Sequence, residues 1–244
     1  MGRLFHALYI AVIAILVGLL VTREKPQPKT DVAQAFQAEL IAKTENFGHV
    51  TWLGKPMWQS VLDLQTVQET IYDVKPDLLI ECGTYKGGSS YFFAQLFDLM
   101  DHGRVITVDI EKLHDLSHPR VTYLIGDCAS AEIVQQIEAE VKKVTGPVLV
   151  VLDSDHHAAH VSKEIQAYNR FVTPGSYLHV QDGVIDTQPQ FAHSRPGPLR
   201  AIEAFLAQNT DFELDVAKSE RFLITHHPKG WLKRKPSATS ARAQ

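Results

Sequence analysis

Five short apolar runs, rich in β-branched residues, recur along the chain at residues 78–82, 105–109, 121–127, 148–153 and 176–182. Most are separated by stretches of helical periodicity, among them residues 91–100, 130–144 and 160–171. A strand that is apolar on both faces needs cover on both faces. Alternation with helices therefore calls for an α/β architecture, a mostly parallel sheet with helices on each side. In open sheets of this kind ligands sit at the carboxyl ends of the strands. Asp109, Asp127, Asp153 and Asp182 close four of the runs, and packing does not ask for acids there.

The first run opens into Glu81-Cys82-Gly83-Thr84-Tyr85-Lys86-Gly87-Gly88-Ser89. Its glycines tolerate positive φ and let backbone N–H groups approach a ligand. A helix N-terminus behind such a turn favours carboxylate or phosphate. The spacing is E-x-G-x-x-x-G-x-S, so the dinucleotide fingerprint G-x-G-x-x-G is not met. An acid leading the loop repels a pyrophosphate but suits a ligand with an amino-acid ammonium group, which points to S-adenosylmethionine (SAM) rather than NAD. Glu81, Gly83, Tyr85, Gly87 and Ser89 are the candidate cofactor contacts; an ordinary strand–turn–helix connection is the plain alternative. Asp109, one β-α-β step further on, stands where such sheets put a carboxylate on ribose hydroxyls. Asp127 falls beside the adenine by the same logic.

The 244 residues accommodate one generous α/β domain and an appendage. A formal net charge of -4 leaves no basic footprint for nucleic acid. The two cysteines, Cys82 and Cys128, make neither a disulfide framework nor a zinc cluster and suit a reducing compartment. Residues 4–21 are apolar apart from His6, long enough to cross a bilayer as a helix. No small-x-small cleavage site follows, so an uncleaved single-pass anchor is expected rather than a signal peptide or a buried core helix. Arg23, Lys25 and Lys29 behind it place the rest of the chain in the cytoplasm.

The expected organisation is an anchor over residues 1–22, a proline-bearing linker over 23–30, a catalytic domain over 31–235 and a disordered tail over 236–244. Asp31 offers an N-cap to a helix carrying Val32, Phe36, Leu40 and Ile41. The segment 47–60, with Trp52 and Trp58, reads as a loop that closes over something. Helical periodicity resumes over 61–74 and stops ahead of Pro76. Residues 212–214 and 222–225 look like a closing pair of strands. From Trp231 onward the chain is basic and then polar, and reads as disordered.

The densest chemistry is Asp153-Ser154-Asp155-His156-His157, with Asp182 at the end of the next strand. Carboxylates converging from adjacent strand ends form an oxygen-ligand set suited to Mg²⁺ or Mn²⁺. Asp153 and Asp155 compete for the first position. In the plain alternative, one of them caps the following helix and the histidines are solvated.

Over residues 52–234 the chain resembles the cephalosporin hydroxylase-type SAM-dependent methyltransferases, a family that includes the rhamnosyl O-methyltransferases. The resemblance rests on E-C-G-T-Y-K-G-G-S, T-V-D-I, L-D-S-D-H-H-A-A-H-V, P-G-S-Y-L-x-V-x-D, G-P-L-R-A-I-E-A-F-L and F-L-I-T-H-H-P-K-G-W-L-K-R. The glycine loop is also similar to that of the metal-dependent catechol O-methyltransferases. The resemblance implies a Rossmann-like methyltransferase sheet, with magnesium on Asp153 (or Asp155), Gln181 and Asp182. It puts His156 where the catechol enzymes carry their catalytic lysine, as the base beside Asp153. Gln181 departs from the pattern, since related sequences carry an acid there. Two functions are then expected to compete. One is a membrane-anchored, metal-assisted O-methyltransferase acting on a sugar, lipid-linked or small-molecule hydroxyl, as in lipid biosynthesis. The other is a SAM-binding membrane protein without catalysis.

Overall fold

The computed structural model describes residues 31–43 and 49–236. The apolar run 4–21, its linker and the tail from 237 lie outside the described residues. Within them no helix is long and apolar enough to cross a membrane. The chain falls into two units, Met1–Ala35 and Phe36–Gln244, and the sheet and its helices belong to the second.

In chain order the elements are α1 (Val32–Ala42), the ribbon β1 (Thr51–Trp52) and β2 (Lys55–Pro56), α2 (Val61–Val74), β3 (Leu78–Cys82) and α3 (Gly88–Met100). Then come β4 (Arg104–Asp109), β5 (Val121–Ile125), α4 (Ala131–Val141), β6 (Val148–Leu152), α5 (Ala158–Tyr168) and β7 (Tyr177–Val180). The last are α6 (Pro198–Gln208), β8 (Phe212–Leu214), the short α7 (Val216–Ser219) and β9 (Trp231–Arg234). All five apolar runs are strands, as the pattern predicts. Two of the helices begin at side-chain caps: Asp31 Oδ1 accepts the Ala33 and Gln34 N–H groups at the start of α1, and Ser130 Oγ accepts the Ile133 N–H at the start of α4.

Among the described residues, nine strands form the two-stranded β1–β2 ribbon and a seven-stranded sheet in the order β5-β4-β3-β6-β7-β9-β8. Strands β3 to β7 are parallel; β9 runs antiparallel to both β7 and β8. The order is that of a doubly wound nucleotide-binding sheet with one antiparallel strand inserted near an edge. The chain reverses direction of travel across the sheet between β3 and β6, and that switch point is where such folds open a crevice.

Strand pleat divides the core into two layers. Leu78, Ile80 and Cys82 face α4 and α5 with Ile106, Val108, Val150 and Leu152. Leu79, Val105, Leu149 and Val151 face α2 and α3, against Val67, Ile71, Phe93 and Phe97. Each such aliphatic side chain contributes about 1.5–3 kcal/mol on burial. Trp52, on the ribbon, packs edge-on against Phe92 at 4.9 Å and donates to Gln95 Oε1 at 2.6 Å.

The C-terminal strands differ from the expectation. Residues 222–225 are not a strand; Leu223 takes a left-handed φ of 68° and is exposed. The partner of β8 is β9, made from residues 231–234 that read as the start of a disordered tail. Trp231 and Leu232 are fully buried there, while the Arg234 guanidinium donates to the Val172 carbonyl at 2.6 Å. A basic sequence thus enters the sheet because backbone acceptors absorb its charge.

Candidate active site

The β3 strand ends in Glu81-Cys82-Gly83, and the pleat decides what each side chain meets. Glu81 shares the face of Leu79, so its carboxylate points under α3 and not into the crevice. There it accepts from Ser89 Oγ at 2.5 Å, from Thr107 Oγ1 at 2.6 Å and from Ser90 Oγ. Burial pushes its carboxyl upward against those three hydroxyl bonds. Glu81 and Ser89 therefore tie the glycine loop to α3 and β4 from behind, and neither lines the cavity. The structure thus places Glu81 behind the glycine loop and off the cavity wall.

Gly83 follows with φ of +98°, and a Cβ there would lie 1.9 Å from the Asp153 carbonyl oxygen. Only glycine lets the loop pass so close to the end of β6. Gly87, at φ +77°, precedes the first turn of α3 and has Leu116 where its Cβ would be. Tyr85, also left-handed, donates its backbone N–H to Asp109 Oδ2 at 2.7 Å. Asp109 thus braces the loop at the same time as it lines the cavity.

That cavity, of about 770 Å³, opens at the switch point over the ends of β3, β4, β5, β6 and β7. Gly83, Tyr85, Asp109 and Asp127 line one part, with Trp58 and Ile110 beside them; Asp153, Asp155, His156 and Asp182 line another. Asp127 Oδ1 accepts the Ala129 N–H at 2.8 Å, and His160 Nε2 stands 3.8 Å from it.

Asp153, His156 and Asp182 each offer a ligand atom within 4.8 Å of the others. His156 Nε2 is 3.3 Å from Asp182 Oδ2. Burial and then the charges of Asp182 and Glu81 hold the Asp153 carboxyl well above its ordinary range, against the bond from Gln59. Two carboxylates facing each other in a half-buried cleft are short of positive charge. The two carboxylates suit a hard divalent cation, which leaves the His156 imidazole beside them free to handle a proton.

Asp155 lies apart from this group. Its Oδ1 accepts the His157 N–H at 2.8 Å and stands 2.6 Å from His157 Nδ1. Burial opposes ionisation there, but these bonds outweigh it and the carboxyl sits below its usual range. Asp155 closes a turn on His157, the N-cap of α5, and gives that helix no side-chain cap; Asp153 stands at the end of β6. Gln181, buried and absent from the cavity wall, has its Oε1 2.7 Å from Gln59 Nε2.

Several contributors escaped the sequence reading. Gln59 lies just ahead of the Ser60 cap of α2 and reaches Asp153. His227 Nδ1 accepts the Asp182 N–H at 2.9 Å, fixing the left-handed turn that aims Asp182. The turn carrying it is held by Asp63, which accepts from Thr225 Oγ1 at 2.5 Å and from the His226 N–H at 2.9 Å. Ile41, Val184, Ile185 and Phe191 form an apolar wall. The paired histidines 226–227 were the one legible signal among these.

Sheet order, crevice and strand-end acids define the class: an α/β protein with the Rossmann-like methyltransferase fold. A structure of CmcI with Mg and SAM superposes with a TM-score of 0.61 at 18% identity, covering 78% of each chain. MycE, a methyltransferase of the mycinamycin biosynthetic pathway solved with Mg and SAH, gives 0.51 at 17%, over 83% of this chain and 54% of its own. A family model described as rhamnosyl O-methyltransferase/CmcI matches residues 45–235. The rhamnosyl O-methyltransferase of Mycobacterium leprae is 33% identical over 193 residues, 76% of this chain and 83% of its own. That of Mycobacterium bovis BCG is 32% identical over 190 residues, 75% and 77% respectively. The chain belongs to the rhamnosyl O-methyltransferase/CmcI family of SAM-dependent O-methyltransferases, as its motifs imply.

Proposed function

We propose that this chain is a membrane-anchored O-methyltransferase that moves the methyl group of SAM onto a hydroxyl of a sugar-bearing acceptor, with a divalent cation at Asp153 and Asp182. The observation that carries the reading is the convergence of Asp153, His156 and Asp182 within 4.8 Å at the switch-point cavity. SAM supplies an electrophilic methyl on sulfur, and magnesium supplies positive charge beside the acceptor oxygen. Gly83, Tyr85, Asp109 and Asp127 would hold the cofactor from the loop side, with Asp109 facing the ribose hydroxyls; Glu81, Gly87 and Ser89 keep that loop in shape.

His156 is the group placed to take the hydroxyl proton on Nε2, and Asp182 beside it stabilises the resulting imidazolium. The methyl leaves sulfur as the acceptor oxygen attacks, so S-adenosylhomocysteine and the methyl ether are the products. The apolar wall suits the less polar part of a glycoside or glycolipid. The rhamnosyl acceptor named for the relatives supports a deoxysugar as the first choice. The membrane assignment, with the catalytic domain in the cytoplasm, is supported by the apolar residues 4–21 and the cations behind them.

The test is methyl transfer from isotope-labelled SAM to a panel of rhamnosides and other glycosides, with and without EDTA. Cation-dependent labelling of an acceptor is expected. SAM binding with no turnover on any acceptor and any divalent cation would favour the non-catalytic alternative.

A further inference from the structure

Gln59 is 5% exposed, yet its side-chain nitrogen makes two short bonds, to Asp153 Oδ2 and to Gln181 Oε1, each 2.7 Å. A carboxylate that holds a cation is ionised and only accepts, so in the cation-bound site the atom of Gln59 facing Asp153 is the NH₂ group. Both of its protons are then spent, one on each partner. The atom of Gln181 that faces Gln59 must in turn be its carbonyl oxygen. The amide orientations are thus settled by Asp153 itself, not by a free choice.

The sheet explains the meeting. Leu152 pairs with Val180, so Asp153 and Gln181 are the next residues in register and leave the strands on one face. That is the face α2 covers, and Gln59 stands one residue before the Ser60 N-cap of α2. Gln181 is 2% exposed, does not line the cavity, and has its oxygen committed to Gln59.

We propose that Gln59 is a positioning residue for the Asp153 carboxylate, and that Gln181 serves the cation site through Gln59 rather than as a ligand. The inference rests on the cation reading given above. Gln59 fixes Asp153 Oδ2 and thereby the direction of the other carboxylate oxygen. Gln181 fixes Gln59. The amide at position 181 thus becomes the second half of a clamp, where an acid would have offered a charge. The same segment carries Trp58 on the cavity wall, so the clamp also ties that wall to the cation site.

The experiment is Mn²⁺ affinity of the full chain, read from the free-ion electron paramagnetic resonance signal, for wild type, Gln59→Leu, Gln181→Leu and the double variant. SAM affinity and the melting temperature report folding, and Gln59→Met substitutes for Gln59→Leu if the latter fails to fold. Each single change should weaken Mn²⁺ by about 10- to 100-fold, as loss of an outer-shell partner does. The double variant should be no weaker than the worse single one, because both act on one clamp. A Gln59 variant with wild-type Mn²⁺ affinity would overturn the proposal. So would a double variant whose loss is the product of the two single losses, since Gln181 would then act independently. Absence of Mn²⁺ binding in the wild type would instead overturn the cation site itself.

Discussion

At the residue scale, Asp153 and Asp155 differ in what compensates them. Asp155 has the His157 backbone and ring, whereas Asp153 has one amide proton against burial and a facing carboxylate. Asp153→Asn and Asp182→Asn should each lower cation-dependent turnover by at least about 100-fold, because even outer-shell partners are worth 10- to 100-fold. Asp155→Asn should cost about 1 kcal/mol of stability or less and leave turnover intact. Steady-state kinetics with and without Mg²⁺, beside melting curves, check both. His179 allows a prediction on pH. It is fully buried and stacks on Trp231 at 3.8 Å; burial first, then His227, hold its imidazole well below the ordinary value of 6.5. Below that value the unfolded chain takes up a proton that the folded one refuses, so stability falls with acid. The wild type should lose about 1.4 kcal/mol per pH unit relative to His179→Phe below about pH 6.5, and nothing above it. Urea midpoints across about pH 5 to 8 measure this. Parallel curves would show that His179 charges in the folded state.

At the element scale, the β3–α3 turn is shaped by what lies against it. The Gly83 backbone must pass the end of β6, and Gly88 must pass Pro56, where a Cβ would stand 2.0 Å from the carbonyl oxygen. Gly83→Ala combines a positive φ with a backbone clash, so it should cost about 3 kcal/mol and abolish SAM binding. A melting temperature and SAM affinity within error of wild type would remove the loop from the cofactor site. The turn at residues 225–227 depends on Asp63 in the same way. Asp63→Ala leaves the His226 N–H without its acceptor and should cost about 1–3 kcal/mol.

At the scale of the whole molecule, the domain should work without its N-terminal segment. The chain beginning at Asp31 should keep wild-type SAM affinity and sediment as a soluble protein, while the full chain should pellet with membranes and resist carbonate extraction. A full-length protein in the soluble fraction would refute the anchor; loss of SAM binding on truncation would show that the segment belongs to the catalytic domain. The two cysteines are free and buried, so the fold does not depend on a disulfide.

Apolar periodicity and strand-end acids were sufficient to read five parallel strands, the helices between them, the crevice edge and the residues gathered on it. These are local properties, because pleat and helical turn repeat within a few residues. The facing of each acid was decided by tertiary structure. Glu81 is one residue from Cys82, and that single step turns it under α3 to three hydroxyls contributed by α3 and β4. The choice of Asp153 over Asp155 depended on where β6 ends and α5 begins. β9 was illegible because its lysine and arginine read as solvated, while its neighbours in the sheet are far away in sequence. Gln59 was illegible for a related reason: 94 residues separate it from Asp153 and 122 from Gln181. No local pattern encodes a contact across such distances; only the packing of α2 against the sheet brings the amide and the carboxylate together.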